Sequence, residues 1–190
     1  MKQIYFIFFA LLLTGCDLFS TRSAEAPTQA RSDYQQPTSY NEVITNLVNS
    51  LQDLNVQNYL SCLSDSTFAP KNFAFSASSS AQSKYNFDNW DKNDEKSYLS
   101  ILVNKMAANS NITLTLSNTS YTSYGDSVVY SASYTLNVPT TDQTIPQTYQ
   151  GTLIFHMIVN SQSVWSIYYW QDSRSSTTLP SWSELKGMTY

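Results

Sequence analysis

Few residues in this chain have side chains suited to acid–base catalysis. His156 is the single histidine, and Asp172 comes directly after the last predicted strand. A histidine that lines a pocket can act as a general base if a carboxylate such as Asp172 orients its ring. The alternative is a buried or half-buried histidine bonded to a neighbour, and a lone titratable group without a motif favours this alternative. Asp172 could also pair with Arg174 and so hold the loop that leads to Trp182.

Four aromatic residues lie together on the last predicted strand, at Trp165, Tyr168, Tyr169 and Trp170. Successive side chains of a strand point to opposite faces, so part of this run supplies core. The remainder could line a pocket for an apolar or sugar-like ligand. The sequence therefore gives His156, Trp165, Tyr168 and Trp170 as ligand-pocket candidates, and a purely structural role for the aromatic run stays open.

The start of the chain has the features of a secretory signal. Lys2 precedes an apolar run from Ile4 to Leu13, and the small residues Thr14 and Gly15 stand before Cys16. The run is shorter than the roughly 20 residues that a membrane-spanning helix needs. The pattern therefore predicts a cleaved signal, with an ordinary signal peptide cut elsewhere or a short buried helix as the alternatives.

The stretch Leu13-Thr14-Gly15-Cys16 resembles the lipobox of bacterial lipoproteins. The resemblance implies that residues 1–15 are removed and that diacylglycerol is joined to the Cys16 thiol. Two or three acyl chains hold a protein on a membrane durably, whereas a single chain binds only marginally. We therefore expect a bacterial cell-envelope protein that is lipid-anchored through Cys16 on the extracytoplasmic side. By resemblance to enterobacterial lipoproteins, Asp17 favours the inner membrane, but other phyla do not follow that rule and the outer membrane stays open.

Length, charge and cysteine count limit the remaining possibilities. Residues 16–190 number 175, which suits one domain. Removing Lys2 from the ten Lys and Arg leaves nine against fourteen Asp and Glu, a balance of −5 that disfavours nucleic acid. Cys62 then has no disulfide partner, and we interpret it as a packed small side chain. One histidine and one free cysteine do not make a usual metal site, and no Gly-rich phosphate loop points to a cofactor.

The polar composition after Cys16 predicts a tether. Residues 16–38 comprise the lipidated cysteine and a segment with too few apolar residues to order itself. The folded domain is predicted to span residues 39–190. It begins with a helix, because Ser39 and Glu42 have the spacing of a capping box and an apolar face follows at helical intervals.

Two more helices are predicted before the pattern changes. One follows Asn55, and the other has Asp94 and Glu95 in its first turn, where carboxylates favour the positive end of the helix dipole. The surrounding acidic and basic residues are typical of a solvated helix start. Ser76 to Ser83 is predicted to be an exposed serine-rich loop without periodicity.

From Ile112 onwards the apolar residues recur at every second position, which predicts strands. A turn at Gly125-Asp126 separates the first two strands. Thr148 to Val159 is apolar on both parities and is predicted to be a central strand covered on both faces, and Val164 to Gln171 is the last long strand. The order of elements predicts an α+β fold, with N-terminal helices packed on one side of a curved antiparallel sheet.

Residues around the third helix, on the last strand and near Leu185 together form a recognisable pattern. They are Trp90, Glu95-Lys96-Ser97-Tyr98-Leu99, Trp165-Ser166-Ile167, Trp170-Gln171-Asp172, Ser181-Trp182 and Leu185-Lys186-Gly187. With the α+β layout, residues 39–190 resemble the nuclear transport factor 2-like, or cystatin-like, superfold of ketosteroid isomerases and polyketide cyclases. They are similar in particular to uncharacterised bacterial lipoproteins of that shape. The resemblance implies a cone-shaped sheet around a pocket, but members of a superfold differ in function.

These observations favour a membrane-anchored, non-enzymatic binding module for an envelope protein or a small apolar ligand. The alternative is a proton-transfer enzyme of the isomerase, cyclase or dehydratase type that uses His156, with Asp172 or a pocket tyrosine, in the cone pocket. The two hypotheses differ in one structural feature. The enzyme requires an open cavity beside His156, whereas a filled cone leaves only roles mediated by the surface.

Overall fold

The computed structural model describes residues 34–67 and 69–190. The signal predicted for residues 1–15, the lipid attachment at Cys16 and most of the predicted tether lie outside the described residues. No helix in the described part of the chain is long and apolar enough to cross a membrane. The described elements form one sheet with helices against one of its faces.

The helices begin where short polar side chains can satisfy the first free backbone N–H groups. Ser39 and Glu42 form the predicted capping box, and Asp91 with Asp94 forms a second one. A third capping box, made by Ser181 and Glu184, starts the last helix. The helices are α1 (Tyr40–Gln52), α2 (Val56–Ser61), α3 (Ser79–Gln82), α4 (Lys92–Asn104) and α5 (Trp182–Thr189).

The sheet contains four long antiparallel strands and one short parallel strand. The strands are β1 (Ala74–Ser76), β2 (Thr113–Ser123), β3 (Ser127–Asn137), β4 (Thr148–Val159) and β5 (Trp165–Arg174). Their spatial order is β1-β5-β4-β3-β2, with β1 parallel to β5. The α+β layout predicted from the sequence is confirmed, and β4 is the central strand.

The two faces of β4 differ in burial. Leu153, Phe155 and Met157 are wholly buried beneath the helices, whereas Ile154 and His156 on the opposite face are only half-buried. The prediction that β4 is covered on both faces is therefore wrong for the described part of the chain, in which the helices pack on one side of the sheet. The inner face is the concave interior in which the superfold resemblance implies a pocket.

Two segments are more ordered than their composition predicts. Ser78 is buried within the serine-rich stretch, and its backbone N–H donates to the Ser183 hydroxyl at 2.9 Å. Ahead of Ser39, the side-chain amide of Asn46 donates to the Gln35 carbonyl oxygen at 2.6 Å. Hydrogen bonds to distant residues order both segments, and local sequence patterns do not record such partners.

Candidate functional site

The interior of the cone is occupied by a buried ion pair. The Lys186 ammonium, on α5, donates to the Glu95 carboxylate on α4, and both side chains are 0% exposed. Charged side chains are almost never fully buried unless they are paired. The two helices are therefore joined at the centre of the fold by a pair whose partners lie 91 residues apart in the sequence.

Aromatic rings complete the surroundings of the pair. The Lys186 nitrogen lies 3.8 Å from the ring centroid of Phe75 and 3.7 Å from that of Trp170, which are cation–π contacts. The second charge is also satisfied, because Glu95 accepts from the Tyr59 hydroxyl at 2.6 Å and from the Trp90 indole N–H at 2.8 Å. Burial lowers the pKa of Lys186 to about 8, although Glu95 opposes this effect.

A second buried network surrounds Asp172. Its carboxylate accepts from the Tyr134 hydroxyl at 2.7 Å and from both the backbone N–H, at 2.7 Å, and the hydroxyl of Ser183. The Tyr134 hydroxyl in turn accepts from the backbone N–H of Trp182 at 2.7 Å. Burial raises the pKa of Asp172, while these hydrogen bonds act in the opposite direction. Asp172 therefore fastens the first turn of α5 to the sheet.

Indole and phenyl rings fill the space between the two networks. The Trp170 ring meets Trp182 edge-on, with 4.6 Å between centroids, and Phe155 at 5.2 Å. All three side chains are 0% exposed. On the other side of Lys186, Gly187 lies so close to Tyr85 that a Cβ would overlap its ring. The cone interior is thus a packed core, because α5 inserts its side chains where the resemblance implies a pocket.

The candidate general base lies on the opposite side of the sheet. His156 pairs with Tyr169 across β4 and β5, and its ring meets Tyr169 and Tyr168 with centroid distances of 5.3 and 5.9 Å. Burial, and then the nearby charge of Lys71, lowers the pKa of His156. Asp172 is on the inner face, paired in register with Leu153. The structure does not bring His156 and Asp172 together, so they form no acid–base pair.

The four ligand-pocket candidates do not share a pocket. Trp170 is in the core, and His156 and Tyr168 are half-buried on the outer face. Trp165 is half-buried near the start of α1, where its ring centroid lies 6.4 Å from that of Tyr40. A bulge between His156 and Met157 shifts the register of β5, so its aromatic run does not alternate regularly.

Arg174 has a different partner from the one that the sequence suggests. Its guanidinium pairs with Glu184 at 3.3 Å. Its Nε–H donates to the carbonyl oxygens of Ser176 and Leu179 and so holds the loop in place. Asp172, two residues earlier, points into the core. The expected pairing of Asp172 with Arg174 is therefore not formed, although Arg174 does hold the loop that leads to Trp182.

The structure places Cys62 as the sequence predicts. Its side chain is 0% exposed, and its thiol donates to the Asn58 carbonyl oxygen at 3.4 Å. Burial raises the pKa of this thiol to about 12. The group is therefore protonated and shielded, and it acts as a packed small side chain.

Sequence reasoning missed the central pair. Glu95 was expected at a solvated helix start, but it is wholly buried, and Lys186 was not singled out as a functional or core residue. One signal was available, because Lys186 follows Trp182 by four residues and side chains at this spacing share a helix face. The structure confirms this relation, because Trp182 and Lys186 are both buried on α5 and the Lys186 ammonium has the Glu95 carboxylate as its partner.

The surface of the described residues has open grooves that are large enough for a small ligand. A groove of about 540 Å³ runs beside β1 and the end of β5, and another of about 510 Å³ lies beside Tyr85 and Tyr190. The first is lined mainly by serine, threonine and glutamine side chains. Hydroxyls and amides of this kind suit a polar ligand better than a small apolar one.

Comparisons with known proteins identify the fold. No family model and no curated protein matches this sequence. Among solved structures, an NTF2-like protein from Cytophaga hutchinsonii has a TM-score of 0.54 and 12% identity, over 71% of this chain and 94% of that chain. An NTF2-like protein of unknown function from Pseudomonas putida has a TM-score of 0.53 and 9% identity, over 73% of this chain and 85% of that chain.

A third similar structure is a candidate scytalone dehydratase from Novosphingobium aromaticivorans. Its TM-score is 0.55 and its identity 7%, over 72% of this chain and 81% of that chain. Identities this low show a shared fold without a shared activity. The chain has a nuclear transport factor 2-like, cystatin-like α+β fold. Two findings show this: its helices pack on a curved, mixed five-stranded sheet, and the similar solved structures have that fold.

Proposed function

We propose that this protein is a lipid-anchored, non-enzymatic binding domain of the bacterial cell envelope, attached through Cys16. The lipobox resemblance supports the anchor. The filled cone supports the non-enzymatic role, because Trp170, Trp182 and Lys186 occupy the space in which the resemblance implies an acid–base site. Recognition is then a property of the surface, and a protein is the partner class that the surface suits.

The observation that carries this proposal is the uncovered outer face of the sheet. His156, Tyr168 and Tyr169 form a half-buried aromatic group on β4 and β5, and the Lys71 ammonium lies 4.2 Å from the Tyr168 ring centroid. Ile154 extends the same face along β4. Aromatic side chains of this kind are enriched at the centres of protein interfaces.

The proton-transfer alternative receives less support from the geometry. It requires His156 to be oriented by Asp172 or a pocket tyrosine inside the cone, but His156 lies on the outer face. One of the similar structures is a candidate dehydratase, but at 7% identity the likeness does not assign its activity to this chain. An enzyme built on this chain would need a catalytic group other than the pair that the sequence suggested.

The proposal is tested on protein purified from its native membrane. Mass spectrometry of the N-terminal peptide is expected to show Cys16 acylated and residues 1–15 absent. A photo-crosslinking residue at Tyr169 is expected to trap a discrete envelope protein, and the same residue at Ile101, exposed on α4, serves as the matched control. A bare Cys16 thiol contradicts the anchor. Turnover of a pool of candidate metabolites that is lost in His156→Ala contradicts the non-enzymatic role.

A further inference from the structure

One end of the sheet carries an exposed group of aromatic side chains. Tyr121 and Tyr124, at the β2–β3 turn, are 60% and 65% exposed. The Tyr121 ring lies 5.0 Å from that of Tyr40, at the start of α1, and Tyr40 in turn meets Trp165 at 6.4 Å. We call Tyr40, Tyr121, Tyr124 and Trp165 the aromatic end. Their rings have apolar bodies and polar edges that face solvent.

The loops at this end are almost uncharged. The β2–β3 turn and the β4–β5 turn, residues 124–126 and 160–164, contain Asp126 as their single charged residue in a chain of net charge −4. A partner recognised by charge therefore has little to bind here. A surface of tyrosine, tryptophan, serine and asparagine instead suits a boundary that is apolar on one side and wet on the other.

The chain also reaches the domain at this end. The Pro37 carbonyl oxygen accepts from the backbone N–H of Trp165 at 2.9 Å, within three residues of Tyr40. Only residues 17–33 separate Cys16 from the described chain. Seventeen residues reach at most about 60 Å even when fully extended, and a link so short gives a high effective concentration at the surface that holds its other end.

We propose that the aromatic end rests in the headgroup region of the bilayer that holds the Cys16 lipid, with Tyr121 and Tyr124 in contact with lipid. Tyrosine and tryptophan are enriched at such boundaries for the amphipathic reason given above. This inference rests on the proposed lipid anchor and adds an orientation to it. The aromatic end faces the membrane, so the outer face of the sheet stays accessible to a partner.

Tryptophan fluorescence quenching by brominated lipid tests the contact. Lipidated protein from the native membrane is reconstituted into phosphatidylcholine vesicles with or without bromine on the acyl chains. Trp90, Trp170 and Trp182 are buried at 4%, 0% and 0% exposure, so they report little contact with lipid. Tyr124→Trp places a reporter on the aromatic end. Tyr190→Trp is the matched control, because Tyr190 is 59% exposed and packs against Trp90 instead.

The proposal expects quenching of Trp165 in brominated vesicles already in the unchanged protein. Tyr124→Trp is expected to increase the loss of fluorescence beyond that level, and Tyr190→Trp is expected to leave it at the level of the unchanged protein. In the otherwise unchanged protein, replacing both Tyr121 and Tyr124 by serine is expected to remove the quenching of Trp165. Protein that floats with the vesicles without quenching at position 124 overturns the orientation and leaves the anchor intact. Equal quenching at 124 and 190 also overturns it. Protein that does not float with the vesicles contradicts the proposed anchor itself. If the protein self-associates without lipid and position 124 is shielded in the oligomer, the aromatic end binds a second copy of the chain and the proposal is overturned.

Discussion

The inner and outer faces of β4 and β5 differ sharply in how their side chains are used. On the inner face, Phe155, Trp170 and Asp172 are at most 1% exposed. Trp170 meets Trp182 and Asp172 accepts from Ser183, both on α5, and Phe155 packs on Trp170. On the outer face, the half-buried ring of His156 meets Tyr168 and Tyr169, and the Lys71 ammonium lies over the Tyr168 ring. The same two strands thus supply a closed core on one side and an accessible surface on the other.

This difference bears on where function can reside. The ionisable groups Asp172, Glu95 and Lys186 lie in the interior of the fold, and each is engaged in a structural contact. The Lys186–Glu95 pair joins α5 to α4, and the Asp172 network fastens α5 to the sheet. The packed side chains around both leave no space for a bound small molecule. None of the described helices packs on the outer face, which is why we propose it as the binding face.

The largest effect is expected from breaking the buried ion pair. Lys186→Met removes the cation and leaves the Glu95 charge buried among aromatic rings, which typically destabilises a fold by about 3–5 kcal/mol. Chemical denaturation monitored by tryptophan fluorescence measures the loss. A change below about 1 kcal/mol would mean that water reaches Glu95, and that the core is open at this point.

The double variant Glu95→Gln with Lys186→Met is the control for that experiment. It removes both charges, keeps an acceptor for the Tyr59 hydroxyl and fills similar volume. Replacement of a buried pair by uncharged residues is often close to neutral. The double variant is therefore expected to recover most of the stability lost in Lys186→Met, and a double variant as unstable as the single one would assign the effect to packing alone.

A smaller loss is expected from crowding the inner face at Gly151. A Cβ at this position would overlap the Ser173 carbonyl oxygen and the Tyr134 hydroxyl. Gly151→Ala should therefore destabilise the protein by about 1–3 kcal/mol, as overpacking of a core does. Thr152→Ala, one residue along on the outer face, is the matched control. Equal thermal unfolding temperatures for the two variants would contradict the contrast between the faces.

The pH dependence of stability should report the buried lysine. Its pKa of about 8 in the folded protein lies below its ordinary value of 10.5. Between these values the unfolded chain holds a proton that the folded protein has released, so stability rises with pH in this window. The free energy of unfolding, taken relative to the Glu95→Gln, Lys186→Met variant, should increase from pH 8 to 9.5. A decrease over that range would contradict the assignment.

The smallest effect is expected on the outer face. Tyr169→Thr removes an aromatic side chain that no helix covers, and surface substitutions usually change stability by less than about 0.5 kcal/mol. Partner binding should nevertheless weaken, if the open face binds as proposed. Crosslinking yield and unfolding free energy, measured on the same variant, separate these two effects. A loss of stability like that of Gly151→Ala would show that the outer face is part of the core.

The elements with regular local patterns could be predicted from the sequence. Thr148–Val159 matches β4 at both ends, and Ser39 caps α1, because alternation and capping depend on neighbouring residues. The position of the strand β1 in the sheet could not be found in this way. The strand has three residues, and its parallel pairing with Tyr169 to Gln171 depends on a segment about 95 positions away.

The candidate site was less predictable than the fold for the same reason. Glu95 follows Asp91 and Asp94, and its neighbours are typical of a solvated helix start, although its partner Lys186 lies near the other end of the chain. For His156, alternation gave the strand, but a one-residue change of parity moves a side chain to the opposite face. Only the three-dimensional contacts show that Asp172 and His156 face away from each other.

Binding of indole tests most directly whether the cone is a filled core. Trp170→Ala opens a cavity bounded by the Phe155 and Trp182 rings and by the Lys186 ammonium, which indole can refill with the ring and cation–π contacts of the lost side chain. Thermal unfolding is measured with and without indole for this variant and for the unchanged protein. A filled cone predicts that indole raises the unfolding temperature of Trp170→Ala and leaves that of the unchanged protein as it was. A comparable rise in the unchanged protein would show that the cone already has an open pocket.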